Sequence, residues 1–333
     1  MNKTQEIYNA LFQDLLVKKY SLENLISREY KCANGLGLIY SIKVGLQVRV
    51  LSIPIPLKVQ KAHLPQWKGI HTEIVQIPEY GENNQLYLKF EQGIGQEAYI
   101  FEIIAEDIRR GIDALDDSQS AVDCILQIVG KWNKFFIHGR KVILSEAEEQ
   151  GLFGELLFLD ELIKTLGTNS VFYWESENST HDFYIRKNAV EIKTCSTQIP
   201  YRAHINSAHQ LDRNDVKGKL FLQFYALRKS KNGGMKLPEM ADQIRVLLQK
   251  NILALQHFNE KLFRIGYLDE AKDYYDSCYT ERERYSFEII DGFPKISVRD
   301  IPPEIFNLQY ELAVGQCLDF AISEKDLMKG VQS

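Results

Sequence analysis

Apolar side chains near the start of the chain recur three and four residues apart. Ile7, Leu11 and Leu15, flanked by Ala10 and Leu16, form one stripe over residues 4–18, the period of an amphipathic helix that packs on a core. From Gly37 to Phe101 the period changes. The runs LGLIYSIKVGLQVRVLSI and QLYLKF are short and rich in β-branched and aromatic residues, with Pro54, Pro56, Pro65, Pro78 and the pair Asn83-Asn84 as punctuation, so they predict a mainly β module. A helical period returns over 118–136 with Val122, Ile125, Leu126, Val129 and Trp132, and WNKFFIHGRKVILSEAEEQ then reads as a domain junction.

Ser145 followed three residues later by Glu148 is a capping-box signature, which predicts a helix from there to about Leu166. Three short strands are expected next: SVFYW at 170–174, DFYI at 182–185 and AVEIKT at 189–194. Only RKN separates the last two, as in a tight hairpin. Asn206 is placed to cap a short helix through Leu211, and KLFLQFYAL at 219–227 reads as a buried strand. Helices are expected from Leu237 to about Ala271, then a hairpin around YSFEIIDGFPKISV. The chain has no internal repeat and no low-complexity tract.

A length of 333 residues admits one extended domain or two modest ones, and 45% hydrophobic with 26% charged residues is the composition of a folded globular chain. Forty basic residues against forty-five acidic ones give a net charge of −5, so any site for a polyanion must be local. The five cysteines (Cys32, Cys124, Cys195, Cys278, Cys317) form no CxxC pair and no short framework, which fits a reducing compartment. Glu6 and Asp14 interrupt the apolar N-terminus, unlike the core of a signal peptide, and no run approaches the length of a membrane span. The expected location is cytoplasmic, with no membrane contact.

Several familiar chemistries are excluded by spacing, since the chain has no GxxxxGK[ST] loop, no HExxH and no GxSxG. Residues 79–107 carry seven acids (Glu79, Glu82, Glu91, Glu97, Glu102, Glu106 and Asp107) against Lys89 alone; this stretch reads as solvated surface and disfavours a phosphate backbone along it. Asp113, Asp116 and Asp117 read as a solvated helix end. What remains is HDFYIRKNAVEIKT. Period two puts Ala189, Glu191 and Lys193 on one strand face and Val190 and Ile192 on the other, with Asp182 on the paired strand. Carboxylates in reach of one another are the ligands Mg²⁺ prefers, and an adjacent lysine suits charge growing on an attacked phosphate. The spacing Asp, eight residues, Glu, any residue, Lys is a phosphodiester-hydrolysis constellation, although a solvated, ion-paired strand face has the same spelling.

The preceding helix sharpens the choice. At 100° per residue Glu155 shares the azimuth of Leu159, Leu162 and Leu166, inside the apolar arc of Leu152, Leu156 and Ile163, while Asp160, Glu161 and Lys164 lie elsewhere. A carboxylate aimed at a core requires a cation or strong hydrogen bonds. Glu155 is therefore either a metal ligand or a buried ion-pair partner.

In order along the chain, GLFGELLFLDEL, a tryptophan, HDF, VEIKT and HINSAHQLD resemble the PD-(D/E)XK family of restriction-endonuclease-like proteins found in bacterial phage-defence neighbourhoods. The densest match covers about residues 145–213. The β-rich N-terminal half and the tryptophan of GKWNKFF also resemble that family. The resemblance implies an α/β fold: a restriction-endonuclease-like core, a mixed sheet flanked by helices, with an N-terminal β-rich module and a C-terminal α+β extension. It also implies a metal site of Glu155, Asp182 and Glu191, with Lys193 as the catalytic lysine. One departure is that His181, not proline, precedes the aspartate. Related nucleases place a polar residue in the next helix near the lysine and the scissile phosphate, which carries Gln210 over. Ser207 has either a phosphate-contacting or a capping role. His204 and His209 are proton relays or ordinary histidines, and Cys195 is a small core residue rather than a nucleophile.

From Arg202 to Lys236, eight basic residues face only Asp212 and Asp215, a local excess of six positive charges. Arg228, Lys229 and Lys231 of this segment either position a nucleic-acid backbone or belong to a solvated loop. Lys131, Lys134, Arg140 and Lys141 form a smaller basic stretch, whose aromatics Trp132, Phe135 and Phe136 read as core. The expectation is an Mg²⁺-dependent endonuclease, with Mn²⁺ able to substitute, that hydrolyses DNA phosphodiester bonds in restriction or defence against foreign DNA. Expected partners are DNA, a second copy in a homodimer and other proteins of a defence system. The expected division is a recognition or assembly module at 1–143, the nuclease core at 144–230 and the extension at 231–333. The rival is a non-cleaving DNA-binding or assembly subunit that keeps the nuclease fold.

Overall fold

The β-rich run of the N-terminal half folds into a five-stranded antiparallel sheet. In the computed structural model, which describes residues 2–22, 24–55, 69–80, 85–116, 121–137, 141–175 and 179–333, its strands are β1 (Leu25–Lys31), β2 (Gly37–Lys43), β3 (Val48–Ile55), β4 (Ile70–Gln76) and β5 (Leu86–Gln92), in the spatial order β1-β2-β3-β5-β4. Pro56, Pro65, Glu82, the Asn83-Asn84 pair, Asp117, Ser118 and Arg140 lie outside the described residues. Contacts divide the chain into two units, Met1–Val142 and Ile143–Ser333. Among the described residues no helix is long and apolar enough to cross a membrane.

In the first unit, α1 (Lys3–Val17) starts at Asn2, whose side chain accepts from the Gln5 amide in a capping box. Its inward face is Thr4, Tyr8 and Leu11, with the Tyr8 hydroxyl donating to the Val50 carbonyl at 2.8 Å. Leu16, expected in the core, is 79% exposed: it follows Leu11 by five residues, about 140° round the helix. Strand β1 extends the sheet beyond the expected start at Gly37. Helices α2 (Ala98–Asp113) and α3 (Ala121–Ile137) follow, and Trp132 and Phe135 are core residues as expected.

The acids of this unit correct the expectation of a solvated surface. Glu102 and Glu106 are buried, Glu102 bonded to Arg49 Nε at 2.7 Å. Glu106 accepts from Arg109, Arg110 and the Thr4 amide. Asp113 is no free helix end: it accepts from Ala33 N, the Tyr30 hydroxyl and Arg109. An alternation count on a helix cannot anticipate guanidinium partners that arrive one turn later and from the sheet.

The second unit is built on a mixed sheet. Its helix α4 (Glu146–Leu166) begins at Ser145 with the expected capping box, reciprocated by Glu148. The chain then runs through β6 (Phe183–Ile185), β7 (Asn188–Cys195), β8 (Arg202–Ile205), β9 (Leu220–Ser230), β10 (Met235–Lys236), α5 (Leu237–Leu248), α6 (Ile252–Ile265), β11 (Cys278–Glu288), β12 (Tyr310–Ala313), β13 (Ala321–Ile322) and α7 (Glu324–Gly330). The sheet order is β10-β11-β9-β7-β6, with β13 also on β11, and β8 pairs only with β12. Strands β7 and β9 are parallel, whereas β6-β7 and β9-β11 are antiparallel.

Helix α4 can lie close on β7 because Gly154 has no side chain: a Cβ there would stand 2.2 Å from Cγ2 of Thr194. On the opposite face Ala189, Leu220, Leu222, Phe224 and Ala226 pack with Ala203 and Ile205 of β8, Leu312 of β12 and Phe287. Covered on both sides, β7 and β9 read as apolar runs. The β6-β7 turn is as tight as expected, with Ile185 opposite Asn188 and Arg186 at φ 58°.

Three expectations fail here. Residues 170–174 are not a strand; a 3-10 helix occupies Thr168–Tyr173 after the left-handed Gly167 cap, leaving only a Trp174–Phe183 bridge. No hairpin forms around 285–298, because β11 spends its length pairing with β9 and its other edge meets β10 and β13. The short helix at 208–211 is 3-10 and its N-cap is Ser207, not Asn206.

The Glu106–Arg109 pair gives the first test. Burial alone raises the Glu106 carboxyl, but hydrogen bonds from Arg109 and Thr4 win and hold it below its usual range. The stability it contributes is thus complete above the ordinary carboxylate range and lost as pH falls through the lowered value. Glu106→Ala, which leaves the Arg109 guanidinium with Asp113 as its one carboxylate partner, is expected to cost about 3 kcal/mol in urea unfolding at pH 7 and much less at pH 3.

Candidate functional site

A cavity of about 650 Å³ in the second unit is bounded by α4, the β6-β7 hairpin and the segment that links β7 to β9. Glu155, Asp182, Glu191, Lys193 and Gln210 all line it. Helix α4 presents Ala147, Gly151 and Glu155, each one turn on from the last, and the small first two leave the approach to Glu155 open. On β8 the alternation sends Ala203 and Ile205 into the core, leaving Arg202 and His204 on the cavity wall.

Glu191 is the centre of the arrangement. It sits in the middle of β7, 1% exposed, and neither of its carboxylate oxygens has a hydrogen bond. Lys193, two residues on and on the same face, puts Nζ 2.7 Å from Oε1 as an ion pair. Asp182 lies just before β6, opposite Glu191 in the hairpin register, and its Oδ2 accepts from the Ile192 amide at 2.7 Å. Burial, then the charges of Glu191 and Glu155, push the Asp182 carboxyl well above its ordinary value. Burial likewise raises Glu155, against a hydrogen bond from Trp174 Nε1 to its Oε2 at 2.7 Å. Asp160, placed off the buried arc of α4 by the helical wheel, is in fact buried under α5, bonded to Lys164 and Gln243.

Two residues escape the sequence argument. His181 is 2% exposed, with Nδ1 3.6 Å from Glu191 Oε2 and Nε2 3.3 Å from Asp215 Oδ1. It precedes β6 in irregular backbone, where alternation gives no guidance. Lys261 of α6 is buried, its Nζ without a hydrogen bond and 4.4 Å from the centre of the Trp174 ring. Burial lowers it to about 8 while Glu155, Glu175 and Asp182 pull the other way. The wheel that picks out Glu155 would have found it, since Lys261 falls among Ala254, Phe258 and Leu262 on the buried face of α6.

The remaining candidates divide. Gln210 is on the cavity wall and accepts from the Asn206 amide at 2.9 Å, while Ser207 Oγ serves the His209 amide as a cap. His204 lines the cavity, His209 is exposed and Cys195 is buried. Lys229 reaches the cavity and pairs with Glu146 at 2.9 Å. Lys231 lies outside it, and Arg228 is exposed at the end of β9.

The donor set suits a hard divalent cation. Glu191 offers two buried oxygens, Oε1 ion-paired with Lys193 and Oε2 without a hydrogen bond, and Asp182 and Glu155 add carboxylates whose mutual repulsion a cation would relieve. Among the described residues no group of three or more His, Cys, Asp or Glu side chains is placed to hold a metal ion; Mg²⁺ takes one or two carboxylates and fills the rest of its shell with waters and phosphate oxygens.

A family model described as "Putative PD-(D/E)XK family member, (DUF4420)" matches residues 21–315. The mixed, helix-flanked sheet accords with a restriction-endonuclease-like fold. No curated protein and no solved structure matches the chain.

The raised carboxyls set a pH test. A folded-state value above the unfolded one contributes stability that is full below the ordinary carboxylate range and is lost as pH rises through the raised value. In EDTA, the thermal midpoint is expected to fall between pH 5 and pH 8, and Asp182→Asn, which keeps the acceptor for Ile192 N, is expected to fall less. Thermal unfolding across that range checks both.

Proposed function

The chain belongs to the putative PD-(D/E)XK family, and from that membership and the buried Glu191 carboxylate, paired with Lys193 and facing Asp182 and Glu155 across one cavity, we propose that it is a divalent-metal-dependent nuclease hydrolysing DNA phosphodiester bonds. Asp182 and Glu191 hold the metal, with Glu155 beside them; Mg²⁺ is the natural ion and Mn²⁺ substitutes. When bound, the ion supplies Lewis-acid stabilisation of the charge that builds on the phosphoryl oxygens. The rest is the work of this chain's side chains. Lys193, held by Glu191, presents an ammonium to the attacked phosphate and stabilises the same charge. Trp174 fixes one oxygen of Glu155, so that this carboxylate keeps one orientation. His181 stands behind Glu191 and limits its rotation. Gln210 pins the Asn206 backbone and so shapes the wall against which the strand lies.

Lys229 and Lys231 supply the phosphate contacts that position DNA without reading its sequence. The defence neighbourhoods of the family that the motifs resemble extend the proposal to restriction of foreign DNA, in company with other proteins of such a system. Cutting both strands would bring two such sites together in a homodimer.

The deciding experiment incubates the purified chain with plasmid and phage DNA in Mg²⁺, Mn²⁺ or EDTA. Cleavage is expected with either metal and none in EDTA. Asp182→Ala, Glu191→Ala and Lys193→Ala are each expected to lower the rate at least about 100-fold with unchanged circular dichroism. DNA binding without cleavage by the wild type under all conditions, or full cleavage by folded variants, would overturn the reading in favour of a non-cleaving DNA-binding subunit.

Charge at the end of β9 is tested separately. Lys229→Gln and Lys231→Gln are each expected to flatten the log-log salt dependence of DNA binding by about 0.9, read by fluorescence anisotropy from low to moderate salt. An unchanged slope would assign both lysines to solvated surface.

A further inference from the structure

The proposed chemistry leaves Lys261 unused. This lysine is 4% exposed on the buried face of α6, beside Ala254, Phe258 and Leu262, and among the described residues its Nζ has no hydrogen-bond partner. An apolar side chain would fill that face as well, and burying an ammonium without a hydrogen bond is costly. Packing does not account for the charge.

Its contacts show where that charge is directed. Nζ stands 4.4 Å from the centre of the Trp174 ring, inside the range of a cation–π interaction. Phe258, one turn earlier on α6, packs on the same ring with centroids 5.8 Å apart. The indole, 1% exposed, is thus held from α6, and its Nε1 donates to Glu155 Oε2 at 2.7 Å. A cation on the face of the ring polarises it and makes that N–H a stronger donor. Glu155, Asp182 and Glu191 bring three negative charges to the cavity, and Lys193 alone meets one of them as an ion pair at 2.7 Å. Lys261 acts on Glu155 and Asp182 by its field, and on Glu155 through the indole.

We propose that Lys261 is a positioning residue for the metal site: through the Trp174 ring it fixes the Glu155 carboxylate by its Oε2 and leaves Oε1 to the cation. It does so from outside the cavity, which Glu155 lines and Lys261 does not. A lysine paired directly with Glu155 would compete with the cation for the same oxygens. Charge delivered across an aromatic ring orders the carboxylate and keeps it available. Outer partners of this kind orient the groups that face a metal and tune its affinity. The inference rests on the reading of this cavity as a metal site.

The test reads metal binding rather than turnover. Mn²⁺ binding to the full chain at neutral pH is measured by paramagnetic resonance of the free ion, for wild type, Lys261→Met and Trp174→Phe. Removing a positive charge near a cation site tightens binding by itself, whereas loss of a positioned carboxylate weakens it, so the two roles differ in sign. Both variants are expected to bind Mn²⁺ at least about ten-fold more weakly. The thermal midpoint of Lys261→Met in EDTA is expected to be unchanged or raised, since an apolar side chain replaces a buried charge. In the Glu155→Gln background, Lys261→Met is expected to add no further weakening, because the carboxylate it acts on is gone. Mn²⁺ binding unchanged or tightened in both variants, or a loss of equal size in the Glu155→Gln background, would overturn the positioning role. Trp174→Phe, which keeps a ring under Lys261 and loses the N–H donor, decides the matter if Lys261→Met does not fold. A wild type that binds no Mn²⁺ sinks the metal reading and this inference together. If Mn²⁺ binding follows the expected pattern but no DNA is cut, the nuclease reading fails and the positioning role stands; if wild type and both variants cut DNA alike with unchanged Mn²⁺ affinity, the reverse holds.

Discussion

Three carboxylates share a water-poor cavity with one lysine in contact, and electrostatics does not let all three be ionised there unless more positive charge arrives. The second unit is arranged around that constraint. Strand β7 must be covered on both faces for Glu191 to be desolvated, which α4 achieves through the missing side chain of Gly154 and the β8-β12 pair achieves from the other side. Trp174 and Lys261 then line up behind Glu155. Each of these contacts orders a charge without neutralising it.

The first unit shows what the same chain does when buried acids have only to be stable. Both oxygens of Glu106 and both of Asp113 are hydrogen-bonded, and Arg109 bridges the two side chains. That network is closed. Around Glu191 the network is sparser: Lys193 pairs with one oxygen at 2.7 Å and His181 stands 3.6 Å from the other. Buried polar groups are satisfied wherever satisfaction is all that is required, so the Glu106–Asp113 network is a structural use of acid, and the sparser Glu191 cluster is consistent with the proposed function.

How much of this was legible depends on how local the determining interaction is. The α4 cap, the tight β6-β7 turn and the shared face of Glu191 and Lys193 follow from neighbours a few residues apart, and all are present. The wheel brought Glu155 to the cavity but missed the burial of Asp160, because the cover there comes from α5, far along the chain. Residues 170–174 have strand composition and still form a 3-10 turn, since Gly167 redirects the backbone before any strand can pair. His181 was hidden for a similar reason, since irregular chain brings it to Glu191 and no period encodes that; the period of α6 marks the face of Lys261 as buried but not what that face meets.

The parallel pairing of β7 with β9 has a consequence for how the protein can change. A parallel pair cannot be closed by a short turn and needs a long crossover. Here the crossover carries β8, Arg202, His204 and Gln210 along the cavity wall, while the carboxylates and Lys193 belong to α4 and the hairpin. The charged centre and its enclosure are thus written on different stretches of chain. On the proposed nuclease reading, substitutions in the crossover would reshape what the cavity admits while the charged centre stays intact.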